Sequence, residues 1–365
     1  MPVGTPRWFP HICNTHRIAI IGASTWRKSL TASQLRRKPM TISRRQVLGT
    51  GAAMLMTPFA GPSAAQDYPN KPVRIVVANP PGSGLDADSR FWAAGLTSLL
   101  GQSVLVDNRP GGATTIGTSL VAKSPPDGYT LLVGIPSSLC YMSELYTKLP
   151  YKPDDFEAIS QLTTLRSVVV ANPGLPANNA AELVKLAKAK PGSIAVGTVG
   201  IGTFQHLLGE WFGAITGSRY QFVPYNTTSP YTALLGGETQ VMFDALAASM
   251  SNIQAGRLKA LAVTGKGRHP LLPNVPTFEE LGMREYDAST WFGLLAPAGT
   301  PKPILERLAT ACATLARKPE VIRRYHDYGG EPVGSAPADF STFIRSERAK
   351  WIPVVKRSGI KLELT

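Results

Sequence analysis

Val73-Arg74-Ile75-Val76-Val77-Ala78-Asn79-Pro80-Pro81-Gly82-Ser83-Gly84-Leu85-Asp86 reads as an apolar strand, a glycine loop and the opening of a helix that continues through Phe91 and Leu96. The same order returns in the second half of the chain. There residues 194–196 are apolar, Gly197-Thr198-Val199-Gly200-Ile201-Gly202-Thr203 follows, and a helix through Leu207, Leu208 and Trp211 comes next. A glycine loop that opens a helix leaves backbone N–H groups unpaired at the positive end of the helix dipole, which suits an anion. Neither loop holds Lys, Arg or His. Two neutral backbone pincers, one in each half, are therefore expected to grip a small acid.

Outward from the first loop the chain alternates strand and helix. A helix over 86–100 closes at Gly101, a strand over 104–107 runs into Asn108-Arg109-Pro110-Gly111-Gly112, and a helix over 115–123 precedes a strand at 130–133. This is the β-α-β-α-β order of a parallel sheet with helices on its faces. Strands at 168–171 and 194–196 flank a helix over 180–190, and further strands are expected at 221–225, 240–243 and 257–263. Pro230 opens a short helix that Gly236-Gly237 ends, and Thr277-Phe278-Glu279-Glu280 is a capping box for a brief helix stopping at Gly282. Trp291 begins an apolar run that returns toward the first half. Helices over 300–317 and 338–357 follow, and Pro353 should kink the last or end it early. The expected fold is α/β and two-lobed. A discontinuous first lobe (66–168 plus 291–365) carries an inserted second lobe (169–290), with the ligand cleft at the carboxyl ends of the strands.

Composition narrows the function. The chain has 365 residues, 43% apolar and 17% charged, enough for two ordinary cores. Its formal charge of +14 is concentrated at one end: residues 1–65 hold nine of the 38 Lys and Arg and no acid, which leaves 29 basic against 24 acidic residues beyond. The basic excess thus gives no argument for nucleic acid. Ser43-Arg44-Arg45-Gln46-Val47-Leu48 has a twin-arginine pattern, a weakly apolar run follows, and Ser63-Ala64-Ala65 offers a cleavage site before Gln66. An ordinary secretory n-region is a second reading of Arg44-Arg45, and a transit peptide a third for this Arg-rich, acid-free stretch, though its small-residue end favours secretion. Residues 40–65 make a leader of normal length, so 1–39 read as an over-called start. No Cys stands where a lipid anchor would need one, and nothing after residue 66 is long and apolar enough to span a membrane. Cys13 would leave with the leader; Cys140 and Cys312 are expected as buried thiols.

Gly82-Ser83-Gly84-Leu85-Asp86-Ala87 also matches the dinucleotide fingerprint through Gly82, Gly84 and Ala87, with Asp107 at the end of the next strand. An exported dinucleotide-binding oxidoreductase is the alternative function. Against it stand the stiff Pro80-Pro81 approach and the second glycine loop. No catalytic constellation, metal-ligand spacing or cofactor motif is found, so an enzyme is not expected. His206, inside the second helix, is expected to be structural. Asp86 braces the first loop or touches ligand. Asp244, at a strand's carboxyl end, is a possible acceptor for a ligand hydroxyl or ammonium, and Tyr225 a possible hydroxyl donor to an acid.

Several separated motifs carry a resemblance. Tyr68-Pro69-Asn70-Lys71-Pro72-Val73-Arg74 with Pro80-Pro81-Gly82, Leu105-Val106-Asp107-Asn108-Arg109-Pro110-Gly111, Pro126-Asp127-Gly128-Tyr129-Thr130-Leu131, Gly200-Ile201-Gly202-Thr203 with His206-Leu207, Val223-Pro224-Tyr225, Leu272-Pro273-Asn274-Val275-Pro276-Thr277 and Ala296-Pro297-Ala298-Gly299-Thr300-Pro301 are similar to the tripartite tricarboxylate transporter receptors, the Bug-type extracytoplasmic solute-binding proteins. The resemblance spans Tyr68 to Ile360. It implies a monomeric periplasmic binding protein of type II that closes on a small organic acid and delivers it to inner-membrane transporter subunits, without cofactor or metal. The carboxylate-binding loops of that family fall on Gly82, Ser83, Gly84 and Asp86, and on Thr198, Gly200, Gly202 and Thr203. The chain departs from the family pattern at Asn226-Thr227, where a lysine is usual, at Val199, where a hydroxyl is usual, and at Leu85, where a small residue is usual. All three predict a less polar pocket, suited to a mono- or dicarboxylate with an apolar body.

Overall fold

The computed structural model describes residues 68–225 and 229–363, apart from the side chain of Tyr328. The twin-arginine pattern, the cleavage site, Cys13 and Asn226-Thr227 lie outside the described residues. Two mixed sheets form the frame. The first joins β1 (Val73–Val77), β2 (Val104–Asn108), β3 (Thr130–Gly134), β4 (Phe156–Leu165), β10 (Thr290–Pro297) and β11 (Gly330–Pro332). The second joins β5 (Ser167–Ala171), β6 (Ala195–Thr198), β7 (Gln221–Pro224), β8 (Val241–Ala245) and β9 (Lys259–Val263). Their orders are β11-β4-β10-β3-β1-β2 and β7-β6-β8-β5-β9. The β1–β2 and β1–β3 pairs are parallel, as are β6–β7 and β6–β8; β10 and β5 run antiparallel to their neighbours. The chain crosses between sheets at Arg166 and again at Ser289.

Helices cover both sheets. In order they are α1 (Gly84–Leu100), α2 (Thr115–Ala122), α3 (Met142–Leu145), α4 (Ala180–Ala189), α5 (Phe204–Thr216), α6 (Pro230–Gly236), α7 (Leu246–Gln254), α8 (Lys302–Ala316), α9 (Pro319–Tyr328) and α10 (Pro337–Ser358). The first core packs Trp92 and Leu96 of α1 and Leu308 and Cys312 of α8 against Ile75, Leu131 and Leu294 of the sheet. In the second sheet, Val168, Met242 and Val263 pack on Leu246 and Met250 of α7. Cys140 and Cys312 are both buried and free, and they sit in separate cores.

Several elements differ from the expectation or were absent from it. The strand β4 escapes a reading by apolar pattern because Ser160, Gln161 and Thr163 are buried in it. Their side chains are partnered: Ser160 Oγ donates to Ser335 O at 2.8 Å, Thr163 Oγ1 to Glu331 O at 3.0 Å and Gln161 Nε2 to Thr164 Oγ1 at 2.8 Å. Polar groups so partnered are tolerated inside. The helices α7 and α9 were not expected at all. The capping box at Thr277 forms, with Thr277 N–H donating to Glu280 at 3.1 Å and Glu280 N–H to Thr277 Oγ1 at 3.1 Å, but only turns follow it. Pro353 does not end α10, which continues to Ser358. Pro353 and Ala349, whose carbonyl loses its helical partner, are both exposed, so water takes the freed acceptor.

Candidate functional site

The first loop is fixed by its own helix. Gly82 adopts φ +80°, a backbone that favours glycine, and so turns the chain off β1. Ser83 is the N-cap of α1, its Oγ accepting from Asp86 N–H at 3.3 Å. Asp86 reaches back to accept from Gly82 N–H at 2.9 Å. The same carboxylate takes Arg90 Nε at 3.0 Å and Asn108 Nδ2 at 2.9 Å, which ties the loop to the end of β2. Asp86 is 3% exposed. Burial alone would raise its carboxyl, but the hydrogen bonds from Arg90, Gly82 and Asn108 outweigh it and hold Asp86 below the usual carboxylate range. With Gly82 N–H taken, the amides of Gly84 and Leu85 remain open among the described residues.

The second loop repeats this scheme. Gly202 adopts φ +74°, Thr203 is the N-cap of α5, and its Oγ1 accepts from His206 N–H at 3.5 Å. His206 Nδ1 accepts from Gly202 N–H at 3.0 Å, as Asp86 does from Gly82. An accepting Nδ1 places the proton of the neutral ring on Nε2, which lies 3.5 Å from Glu210. Thr203 Oγ1 also donates to Gly200 O at 2.7 Å, and Thr198 Oγ1 to the same oxygen at 3.4 Å. Gly202 packs toward Leu145 and Leu362, where a Cβ would come within 2.9 Å of Leu362. Val199 and Ile201 stand exposed.

A cavity of about 410 Å³ opens between the sheets at the carboxyl end of β1. On one side it is lined by Gly82, Ser83, Gly84, Ala87 and Asp88, and on the other by Ala245, Ala247 and Ala248 at the start of α7. That start carries no side-chain cap, and Leu246 N–H is taken by Arg166 O at 2.8 Å. The N-terminus of α1 therefore faces an uncapped N-terminus of α7 across the cavity. The floor comes from Leu165, Thr290 and Phe292, and α9 adds Arg324 and Tyr325. The lining thus includes a cation that neither loop carries.

Not every expected site residue reaches this cavity. Gly82, Ser83 and Gly84 line it, and Asp86 lies behind them as the brace. Thr198, Gly200, Gly202 and Thr203 are one strand away, β6 lying beside β8. Tyr225, at the end of β7, is half-buried and its N–H donates to Thr198 O at 2.8 Å. Asp244 is buried and spent inside the second lobe: it accepts from Tyr231 and from Ser249 at 3.3 Å, while Gln205 of α5 reaches it at 3.4 Å. Burial raises its carboxyl. Leu85 turns into the first core and does not narrow the pocket. Asp107, which a dinucleotide reading needs, is paired with Arg109 at 3.0 Å and Arg74 at 3.4 Å. A larger hollow of about 670 Å³ lies behind α5, bounded by Arg219 and Arg357, away from both loops. Among the described residues no group of three His, Cys, Asp or Glu is placed to hold a metal, and no helix is long and apolar enough to cross a membrane.

The family model described as tripartite tricarboxylate transporter family receptor matches residues 89–360. The chain belongs to that receptor family. Among its relatives, protein BugT of Bordetella pertussis is 35% identical over 308 residues, covering 84% of this chain and 94% of BugT. Two solved structures are similar throughout. Rpa4515 of R. palustris, solved with adipate, is 33% identical with a TM-score of 0.72, over 81% of this chain and all of that one. MatC from Rhodopseudomonas palustris, solved with bound malate, is 28% identical with a TM-score of 0.68, over 79% of this chain and all of that one. The fold is the two-lobed type II arrangement of periplasmic binding proteins, and the protein is a solute receptor, not an enzyme. Nothing in these comparisons supports an oxidoreductase.

Proposed function

We propose that the protein captures a small organic acid in the inter-lobe cavity, its carboxylate seated on the open amides of Gly84 and Leu85. The observation that carries this reading is the opposition of two helix N-termini, α1 from one lobe and α7 from the other, across a cavity of about 410 Å³. Charge-assisted hydrogen bonds contribute about 1.5–3 kcal/mol each before ordering costs, so a few of them fit a dissociation constant near micromolar. Gly200, Ile201 and Thr203, beside α7 on the same sheet edge, complete the grip as the lobes swing together, with Thr198 and Tyr225 shaping that second jaw. Excluding water then strengthens every dipole aimed at the anion.

Adipate and malate in the related structures, each with two carboxylates, support a small dicarboxylate within the mono- or dicarboxylate class. Family membership supports a periplasmic receptor that hands its ligand to membrane subunits; we infer that it works as a monomer, exported by its twin-arginine leader without a lipid anchor. Calorimetry on the chain from Gln66, titrated with a panel of mono- and dicarboxylates including adipate and malate, tests the reading. At least one acid should bind with a micromolar constant, and Gly84→Pro should weaken it tenfold or more. Proline fits the first helical position after an extended Ser83 (φ −68°, ψ 160°) and removes one amide without breaking α1. Heat absent for every acid, or affinity unchanged in Gly84→Pro, would overturn the site.

A further inference from the structure

Asp88 stands one turn along α1 from Gly84, about 6 Å farther into the cavity at 1.5 Å per residue. Its surroundings are unusual for the receptor of an anion. Trp92 Nε1 donates to Tyr325 Oη at 2.6 Å, and the Tyr325 hydroxyl donates in turn to Asp88 Oδ1. This chain fixes Oδ1 as an acceptor, so any proton the carboxyl holds sits on Oδ2. Asp88 lines the cavity, yet Oδ2 is shielded from solvent and has no hydrogen-bond partner. An orphaned buried polar atom is costly, and a ligand oxygen can recover that cost. The terminal torsion of aspartate is soft, so the carboxyl can turn Oδ2 to a guest where the Tyr325 hydroxyl follows Oδ1.

We propose that Asp88 is a specificity-determining residue of this site, its Oδ2 donating a hydrogen bond to the far carboxylate of a bound dicarboxylate. The inference rests on the carboxylate reading given above and adds the second anchor to it. Asp88 acts as a neutral acid. The groups facing it are Arg324 and Tyr325 on α9, while Asp86 and Arg90, two residues away on its own helix, pair with each other on another face; the residues of α7 and β10 that line the cavity are Ala245, Ala247, Ala248, Thr290 and Phe292, none of which titrates. Burial pushes Asp88 up to about 7, against the lowering effects of the Tyr325 hydrogen bond and the Arg324 charge. A second anion arriving in a closing apolar pocket favours the neutral form further, because two carboxylates in contact cannot both stay ionised. Arg324, stacked on the Phe91 ring at 4.4 Å, supplies the positive charge on the same wall.

The sign of the pH dependence follows. Below about pH 6 the acid is already protonated and affinity is flat; above about pH 7.5 a proton must be taken up, and affinity falls by up to about tenfold per pH unit. The test is calorimetry of wild type, Asp88→Asn and Asp88→Leu with the best dicarboxylate of the panel and its monocarboxylate counterpart, from pH 5.5 to 8.5, with circular dichroism to confirm folding. Asparagine imitates the neutral acid, so Asp88→Asn should keep the affinity within threefold and lose the pH dependence. Asp88→Leu should weaken the dicarboxylate at least tenfold more than it weakens the monocarboxylate. A large loss in Asp88→Asn would show a carboxylate acting as acceptor and overturn the proposal, as would an unaffected Asp88→Leu. Those results leave wild-type binding intact; if wild type binds no acid, the carboxylate reading falls first and takes this inference with it.

Discussion

Gly82-Ser83-Gly84-Leu85-Asp86 and Gly202-Thr203-Phe204-Gln205-His206 follow one hydrogen-bond plan residue for residue, yet they are anchored differently. In both, a left-handed glycine precedes a hydroxyl N-cap, and the third helical side chain reaches back to the glycine amide. In the first loop that side chain is an anion, held by Arg90 and by Asn108 of the neighbouring strand. In the second it is a neutral imidazole, whose other nitrogen faces Glu210 on the same helix and whose ring packs edge-on to Phe222 at 4.6 Å. One brace is tied to the neighbouring strand by a hydrogen bond, the other only by ring packing. The first loop is thus the more heavily hydrogen-bonded of the two.

The largest test of this contrast removes the braces. Asp86→Ala strands Gly82 N–H, Asn108 and Arg90 together and should cost about 3 kcal/mol in urea unfolding, whereas His206→Ala should cost about 1 kcal/mol. Equal losses would erase the distinction. Next come the glycines. Gly82→Ala meets no atom within 4 Å and should lose about 1 kcal/mol from its φ alone; Gly202→Ala also drives a Cβ to 2.9 Å from Leu362 and should lose about 2 kcal/mol. The smallest effect is acid sensitivity. Because Asp86 is held below the usual carboxylate range, its contribution is complete above about pH 4 and fades only as pH falls through its own lower value. Wild type and Asp86→Asn should therefore lose their stability difference only below about pH 4, as read from melting temperature.

How much of this was legible follows from distance along the chain. The first loop's grammar is local: strand, glycine, N-cap and acid lie within one short run, and the bonds drawn from the sequence join residues three or four apart. The opposite wall is not local. Ala245, Ala247 and Ala248 bear no chemistry that a reader of sequence would select, since what they offer is backbone at the start of an unsuspected helix. Arg324 and Tyr325 belong to α9, whose Pro319 start and Gly329 stop were available as signals. Nothing in sequence, however, says that Tyr325 meets Asp88. Asp244 shows the same limit: nothing local says that Tyr231 and Ser249 take up its carboxylate.

Trp351 of α10 lies in contact with Phe204 and Trp211 of α5, at 5.5 and 5.3 Å between rings, and with Tyr141 beyond β3 at 5.6 Å. Its indole nitrogen shares the buried Glu347 carboxylate with Trp291, which roots it in the first sheet. The lobes consequently meet at a bearing as well as at their two covalent crossings. Any swing of one sheet against the other must therefore either carry this packed indole along or break its contacts with Phe204 and Trp211.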